Sequence, residues 1–165
     1  MARLRAETQH YGVQARYFLD TGIILGYLRS TPYAEVVEKT FSPFSPPNIA
    51  AMSVISRGEL ASLAYRNKWE TPKQTKLEEL LKKIPQVDVN NDVIIQMYGE
   101  IDAFSQGYHP TQSLIMSARN MGKNDIWIAA TAVISNATLI TTDKDFDHLN
   151  GIFLSVIYID PSSKP

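Results

Sequence analysis

Cysteine is absent from the 165 residues, which excludes disulfides and thiolate-held metal centres and fits a reducing compartment. Histidine is scarce, at three residues. His10, His109 and His148 have no mutual metal-ligand spacing, so none is assigned a catalytic role and no nucleophile–histidine pair is in view. No stretch approaches the length of an apolar membrane span, and the polar opening MARLRAETQHYGVQARYF lacks an apolar core of signal-peptide length. The expectation is a soluble, cytoplasmic protein. A dominant charge is missing too: 16 Lys and Arg against 17 Asp and Glu leave a formal net charge of −1. There is no global basic field to attract a polyanion, so a nucleic-acid partner would need local cations or bound metal. Gly22 and Gly26 form neither a G-x-G-x-x-G nor a Walker pattern, and no G-x-S-x-G elbow surrounds Ser53 or Ser56. Nucleotide-cofactor chemistry and acyl transfer are therefore not supported.

What is present is enough apolar material, 44% of residues, for one domain with a sizeable core. Tyr17-Phe18-Leu19 reads as a short strand ending on Asp20, followed by Ile23, Ile24, Tyr27 and Leu28 at helical spacing until Ser30-Thr31-Pro32. A helix over Tyr33–Lys39 precedes a Ser/Pro loop, and Ile49–Val54 reads as a buried strand. Ser56 and Glu59 form a capping-box pattern opening the next helix towards Trp69. Thr71-Pro72 opens a helix with Leu77, Leu80, Leu81 and Ile84 on its apolar stripe. Val87–Val89 predicts a short strand, and a helix from about Asp92 uses Val93, Met97, Tyr98 and Ile101 as its inner face. Leu114–Met121 predicts a helix ended by Gly122 as C-cap, and Asn124 is expected to cap the next, whose Ile128, Ala129, Ala132 and Val133 face inward. Ala137–Thr141 and Val156–Ile159 are the last strands. This alternation argues for a three-layer α/β/α domain around a mostly parallel sheet.

Four acids stand out at predicted strand ends and helix starts: Asp20, Glu59, Asp125 and Asp143. Singly, each has a structural explanation, as a cap, a capping-box partner, a helix-dipole acid or an Asx turn. Jointly, a parallel sheet would bring them to one edge, where they repel one another unless protons or a cation intervene. An all-oxygen ligand set suits Mg²⁺ or Mn²⁺ better than zinc. The chemistry that needs such a site is phosphoryl transfer to water, with the metal offsetting charge on a polyanionic substrate.

The segments FLDTGIILGYL, SVISRGELA, NDIWIAATA and ATLITTDKDF resemble, in order, the signature blocks of the PIN domain, specifically the VapC-type toxins of toxin–antitoxin pairs. The resemblance implies a PIN-like nuclease domain over residues 17–165 after an N-terminal extension over residues 1–16. It implies Asp20, Glu59, Asp125 and Asp143 as metal-holding catalytic acids, with Thr141 in support. Asp145 and Asp147 compete with Asp143 for the fourth position, and the family spacing favours Asp143. It further implies a Mg²⁺- or Mn²⁺-dependent endoribonuclease, an RNA substrate, cleavage leaving a 5′-phosphate and a 3′-hydroxyl, a cognate antitoxin and a homodimer. The N-terminal residues and the Gln106–Ser117 stretch are longer than the family pattern.

Two competing readings come from other classes. A haloacid-dehalogenase-like phosphatase also places an aspartate after its first strand, but normally has a second acid two residues on, where this chain has Gly22. A non-catalytic PIN-like module binding RNA or protein would ordinarily have lost some of the acids. Arg57, Arg66, Lys68, Lys73 and Lys76, interleaved with Tyr65 and Trp69, could grip single-stranded RNA; the simpler reading is a solvated helix face with Trp69 packed into the core.

Overall fold

A computed structural model of the chain describes residues 13–165; the first twelve residues of the expected extension, His10 among them, lie outside the described residues. The chain alternates β1 (Arg16–Leu19), α1 (Thr21–Arg29), α2 (Pro32–Phe41), β2 (Ile49–Ser53), α3 (Val54–Arg66), α4 (Thr71–Leu81), β3 (Gln86–Val87), α5 (Asp92–Ser105), α6 (Lys123–Ile134), β4 (Thr138–Thr141), a 3₁₀ turn (Lys144–Leu149) and β5 (Val156–Tyr158). Among the described residues all four strand pairings are parallel, in the order β3-β2-β1-β4-β5. The expected three-layer α/β/α architecture is therefore the one observed.

Side-chain alternation along the strands divides the interior into two layers. Phe18 of β1 and Leu139 of β4 face α5 and α6, packing with Ile94, Ile101, Phe104 and Ile126. Their neighbours Leu19 and Ile140 face the opposite way and pack with Ile23 and Ile24 of α1, Val37 of α2, Leu60 of α3 and Leu77 of α4. Each of these large apolar side chains, when fully buried, stabilises the fold by about 1.5–3 kcal/mol. That margin lets the sheet edge tolerate buried polar groups. The order of strands matters more for function. From β1 the chain builds outward through β2 and β3, then returns to place β4 on the other side of β1. This reversal leaves a crevice beyond the carboxyl ends of β1 and β4, where ligands of open parallel sheets bind.

Several local expectations are corrected. Residues 106–122 contain no helix: only Leu114 and Met121, at the two ends of the expected helix, reach the core, while Ile115 is 91% exposed and Met116 42% exposed. Gly122 does not end a helix but occupies the N-cap position of α6, with φ −57° and no side-chain cap. Asn124 accordingly lies inside the first turn of α6. The capping box at Ser56 and Glu59 is also displaced. Ser53 caps α3, its hydroxyl accepting the Ile55 N–H at 3.2 Å, so Ser56 and Glu59 sit inside the helix. On α5 the expected inner face holds at Met97, Tyr98 and Ile101, but its first member is Ile94, which is buried, and not Val93, which is exposed.

Candidate metal centre

The site is assembled at the switch between β1 and β4. Asp20 follows β1 directly and is 6% exposed. One oxygen, Oδ1, accepts the Thr21 N–H at 2.7 Å and so caps α1. The other, Oδ2, accepts the Thr141 hydroxyl at 2.6 Å. Thr141 is the last residue of β4, completely buried, and its Oγ1 in turn accepts the Asp143 N–H at 3.0 Å. A single threonine hydroxyl thus ties the acid after β1 to the segment carrying the acid after β4. Asp143 caps the 3₁₀ turn, accepting the Asp145 N–H at 2.8 Å, and this turn points Asp145 back towards the same pocket.

Asp125, in the first turn of α6, joins Asp143 and Asp145 in a group of three that does not include Asp20 or Glu59. Carboxylate oxygens of Asp125, Asp143 and Asp145 lie within 4.8 Å of one another, close enough for one divalent cation to share. Asp125 folds over Gly122: a Cβ added at that glycine would lie 2.7 Å from Asp125 Oδ2. Only a residue without a side chain leaves the carboxylate this room.

Glu59 reaches the pocket from the second turn of α3, and both its oxygens are held. Oε2 accepts the hydroxyl of Thr21, and Oε1 accepts the Asn124 side-chain amide at 2.9 Å. Asn124, expected as a helix cap, thus belongs to the site, and its adjacency to Asp125 is the sequence signal for it. The family spacing favours Asp143 over Asp145, yet the fold brings both to Asp125.

Electrostatics describe a site short of positive charge. Burial raises the Asp20 carboxyl from its ordinary 3.8 to about 6, outweighing the stabilising hydrogen bonds from Thr141 and Thr21, with Glu59 and Asp143 adding repulsion. Burial likewise raises Asp125 to about 7, reinforced by Asp20, Asp143, Glu59 and Asp145. Two of the nearby cations are engaged elsewhere. Lys123 pairs with Asp102 at 3.3 Å, and the Lys144 amine lies 5.1 Å from the Tyr158 ring centre. A cluster of hard oxygen donors, two of whose carboxyls are raised by burial and by their acidic neighbours, fits Mg²⁺ or Mn²⁺ by donor type and charge.

The remaining candidates fall outside the pocket. His148 is buried, its Nε2 2.8 Å from the Ser105 hydroxyl and its ring stacked on Phe104, while His109 accepts loop N–H groups of Thr111 and Gln112. Trp69 is buried as core, with the Lys73 amine 4.0 Å from its ring centre. Among the described residues no helix is long and apolar enough to cross a membrane.

Comparison with known proteins decides the family. The PIN domain model matches residues 17–152. The chain belongs to the PIN domain family. This PIN domain is similar to VapC-type toxins: it is 28% identical over 137 residues to Ribonuclease VapC1 of Haemophilus influenzae strain R2866, covering 82% of this chain and 93% of that protein. Its fold matches VapBC-1 from nontypeable Haemophilus influenzae with a TM-score of 0.63 and 28% identity, covering 87% of this chain and 97% of that one. VapBC2 from Rickettsia felis, solved with a DNA fragment from its promoter, shares the fold at a TM-score of 0.67 and 24% identity, covering 88% of this chain and 99% of that one. The PIN fold and the acidic cluster together support a metal-dependent nuclease in general terms.

The clamp on Glu59 leads to a specific expectation. Residues that orient metal-holding carboxylates typically contribute ten- to a hundredfold in metal affinity. Asn124→Ala should raise the Mg²⁺ concentration for half-maximal activity about tenfold, while leaving the unfolding midpoint close to that of the parent. An unchanged metal titration would show that Asn124 has no hold on Glu59 that matters.

Proposed function

We propose that this protein is a Mg²⁺- or Mn²⁺-dependent endoribonuclease and the toxin of a VapBC-like toxin–antitoxin pair. The observation that carries the reading is the placement of the buried Asp20 and the half-buried Asp125 among further carboxylates, which raise both carboxyls with no offsetting cation among the described residues. Such an arrangement costs stability in the free protein and is expected where a metal will supply the missing charge.

In this reading Asp20, Glu59, Asp125 and Asp143 hold the metal, with Asp145 close enough to assist. When bound, the metal activates water and offsets charge on the scissile phosphate. Thr141 orients Asp20 through its hydroxyl and Asp143 through the backbone N–H it accepts. Thr21 and Asn124 hold the two oxygens of Glu59. The domain limits proposed are residues 17–165 for the nuclease and 1–16 for the extension. A cognate antitoxin is proposed by similarity to the VapBC complexes, and a homodimer by the resemblance to VapC-type toxins. The phosphatase reading has no second acid at Gly22 to recommend it, and the non-catalytic reading must account for a full set of acids.

The decisive experiment incubates purified full-length protein with cellular RNA and Mg²⁺ or Mn²⁺ and maps the new ends. Metal-dependent cuts carrying 5′-phosphates and 3′-hydroxyls are expected, abolished by Asp125→Asn. Cleavage that persists in chelator, or in that variant, would show that another activity is responsible.

A further inference from the structure

The face of α3 that carries Glu59 continues beyond the acids. Ile55, Gly58, Glu59, Ser62, Leu63 and Arg66 recur at intervals of three and four residues, so they form one stripe. With Thr21, Val54 and Asn124 this stripe lines a groove of about 590 Å³. Glu59 is the sole carboxylate of that lining, and Arg66 is its sole cation. At about 1.5 Å of rise per residue, Arg66 stands about 10 Å along the helix from Glu59, a nucleotide or two of extended strand.

Two features of this groove have no explanation in packing. Arg66 is exposed and makes no ion pair or side-chain hydrogen bond with any described residue. Gly58 lies inside α3, where glycine weakens a helix, yet a Cβ there would meet nothing within 4 Å. Any larger side chain at Gly58 would stand in the groove instead of against the protein. The helix therefore forgoes stability at a lining position where a side chain would narrow the channel.

We propose that this groove holds the single-stranded RNA adjoining the scissile bond, with Arg66 binding a backbone phosphate and the Ile55 and Leu63 wall facing unpaired bases. The inference rests on the nuclease reading and deepens it. The groove is continuous with the acids through Glu59, Thr21 and Asn124, so a strand bound at the metal must pass into it or into solvent. A guanidinium without a partner matches a phosphate in charge and in its forked donor geometry. The apolar wall can meet bases only when they are unstacked and unpaired, which selects a single strand over a duplex.

The test compares two substrates of the full-length protein with Mn²⁺: a single-stranded oligoribonucleotide, and bis(p-nitrophenyl) phosphate, a diester too short to enter the groove. The readout is the ratio of their kcat/KM values in Arg66→Ala, Arg66→Lys and Gly58→Leu. Arg66→Ala should lower the ratio about tenfold, mainly through KM, with Arg66→Lys recovering much of the loss because the charge is kept. The slope of log affinity against log salt should flatten by about 0.7, the contribution of one phosphate on a single strand. Gly58→Leu should lower the ratio too, while its unfolding midpoint stays level or rises. If the parent hydrolyses both substrates and the ratio is unchanged in Arg66→Ala and Gly58→Leu, the RNA groove is overturned and the face is left to a protein partner. If the parent hydrolyses neither, the nuclease reading itself fails, and this inference with it.

Discussion

Asp20→Asn is expected to lower metal-dependent RNA cleavage by about a thousandfold while leaving the protein folded. The loss follows from removing one anionic ligand of a metal whose transition-state stabilisation is several kcal/mol, at about 1.4 kcal/mol for each tenfold in rate. Folding is spared for a geometric reason. The asparagine Oδ1 can still accept the Thr21 N–H and cap α1, and the Thr141 hydroxyl can rotate from donor to acceptor towards the new amide. The substitution also removes a buried negative charge that burial and neighbouring acids oppose. Without metal at pH 8, the variant should therefore unfold at the same temperature as the parent or higher. Alanine is a poorer probe, because losing the cap costs about 1 kcal/mol on its own. Cleavage by Asp20→Asn within tenfold of the parent, measured with a labelled RNA and pure protein, would remove Asp20 from the metal site.

Metal and protons should compete for the same pocket, and the sign can be worked out. Asp20 and Asp125 are raised in the folded protein to about 6 and about 7, from an ordinary 3.8. Between those values the folded state keeps protons that the unfolded chain has released, so metal-free stability falls as pH rises from about 4 through about 7. Above that window both acids are ionised and the repulsion is fully expressed. Mg²⁺ binds the ionised form, so its affinity climbs across the same window and its binding releases protons. At a hundredfold excess over Kd, metal adds about 2.7 kcal/mol of stability. For a domain of this size that corresponds to roughly 5–10 °C in unfolding midpoint. The difference between Mg²⁺ and chelator in a thermal melt should be large at pH 8 and small at pH 5. A difference that does not vary with pH would mean that the metal does not bind at these acids.

The match between sequence and structure varied with the kind of signal. Phe18, Leu19, Leu139 and Ile140 are apolar in short runs beside turn residues, so the central strands were legible, and their alternate faces follow from strand geometry. Asp20 was legible as a strand-end acid and cap because both roles are local. The capping box at Ser56 and Glu59 misled because Ser53, three residues earlier, offers the same hydroxyl chemistry and takes the cap. The Leu114–Met121 segment misled because apolar residues at helical spacing say nothing about whether a surface exists for them to cover. Ile115 has none.

By itself the sequence determined the layered α/β class, the order of its elements apart from the expected Leu114–Met121 helix, four candidate acids at strand ends and helix starts and, through the NDIWIAATA and ATLITTDKDF blocks, the family. These are properties of local pattern and spacing, which survive without knowledge of what lies opposite in space. Tertiary structure decided what depends on strand order. By seating β4 beside β1 it put Thr141 between Asp20 and Asp143, gathered Asp143 and Asp145 against Asp125, and turned Asn124 from an expected cap into a partner of Glu59. It also decided the charge state of the pocket. Burial sets the carboxyl equilibria of Asp20 and Asp125, and burial depends on every layer packed around them.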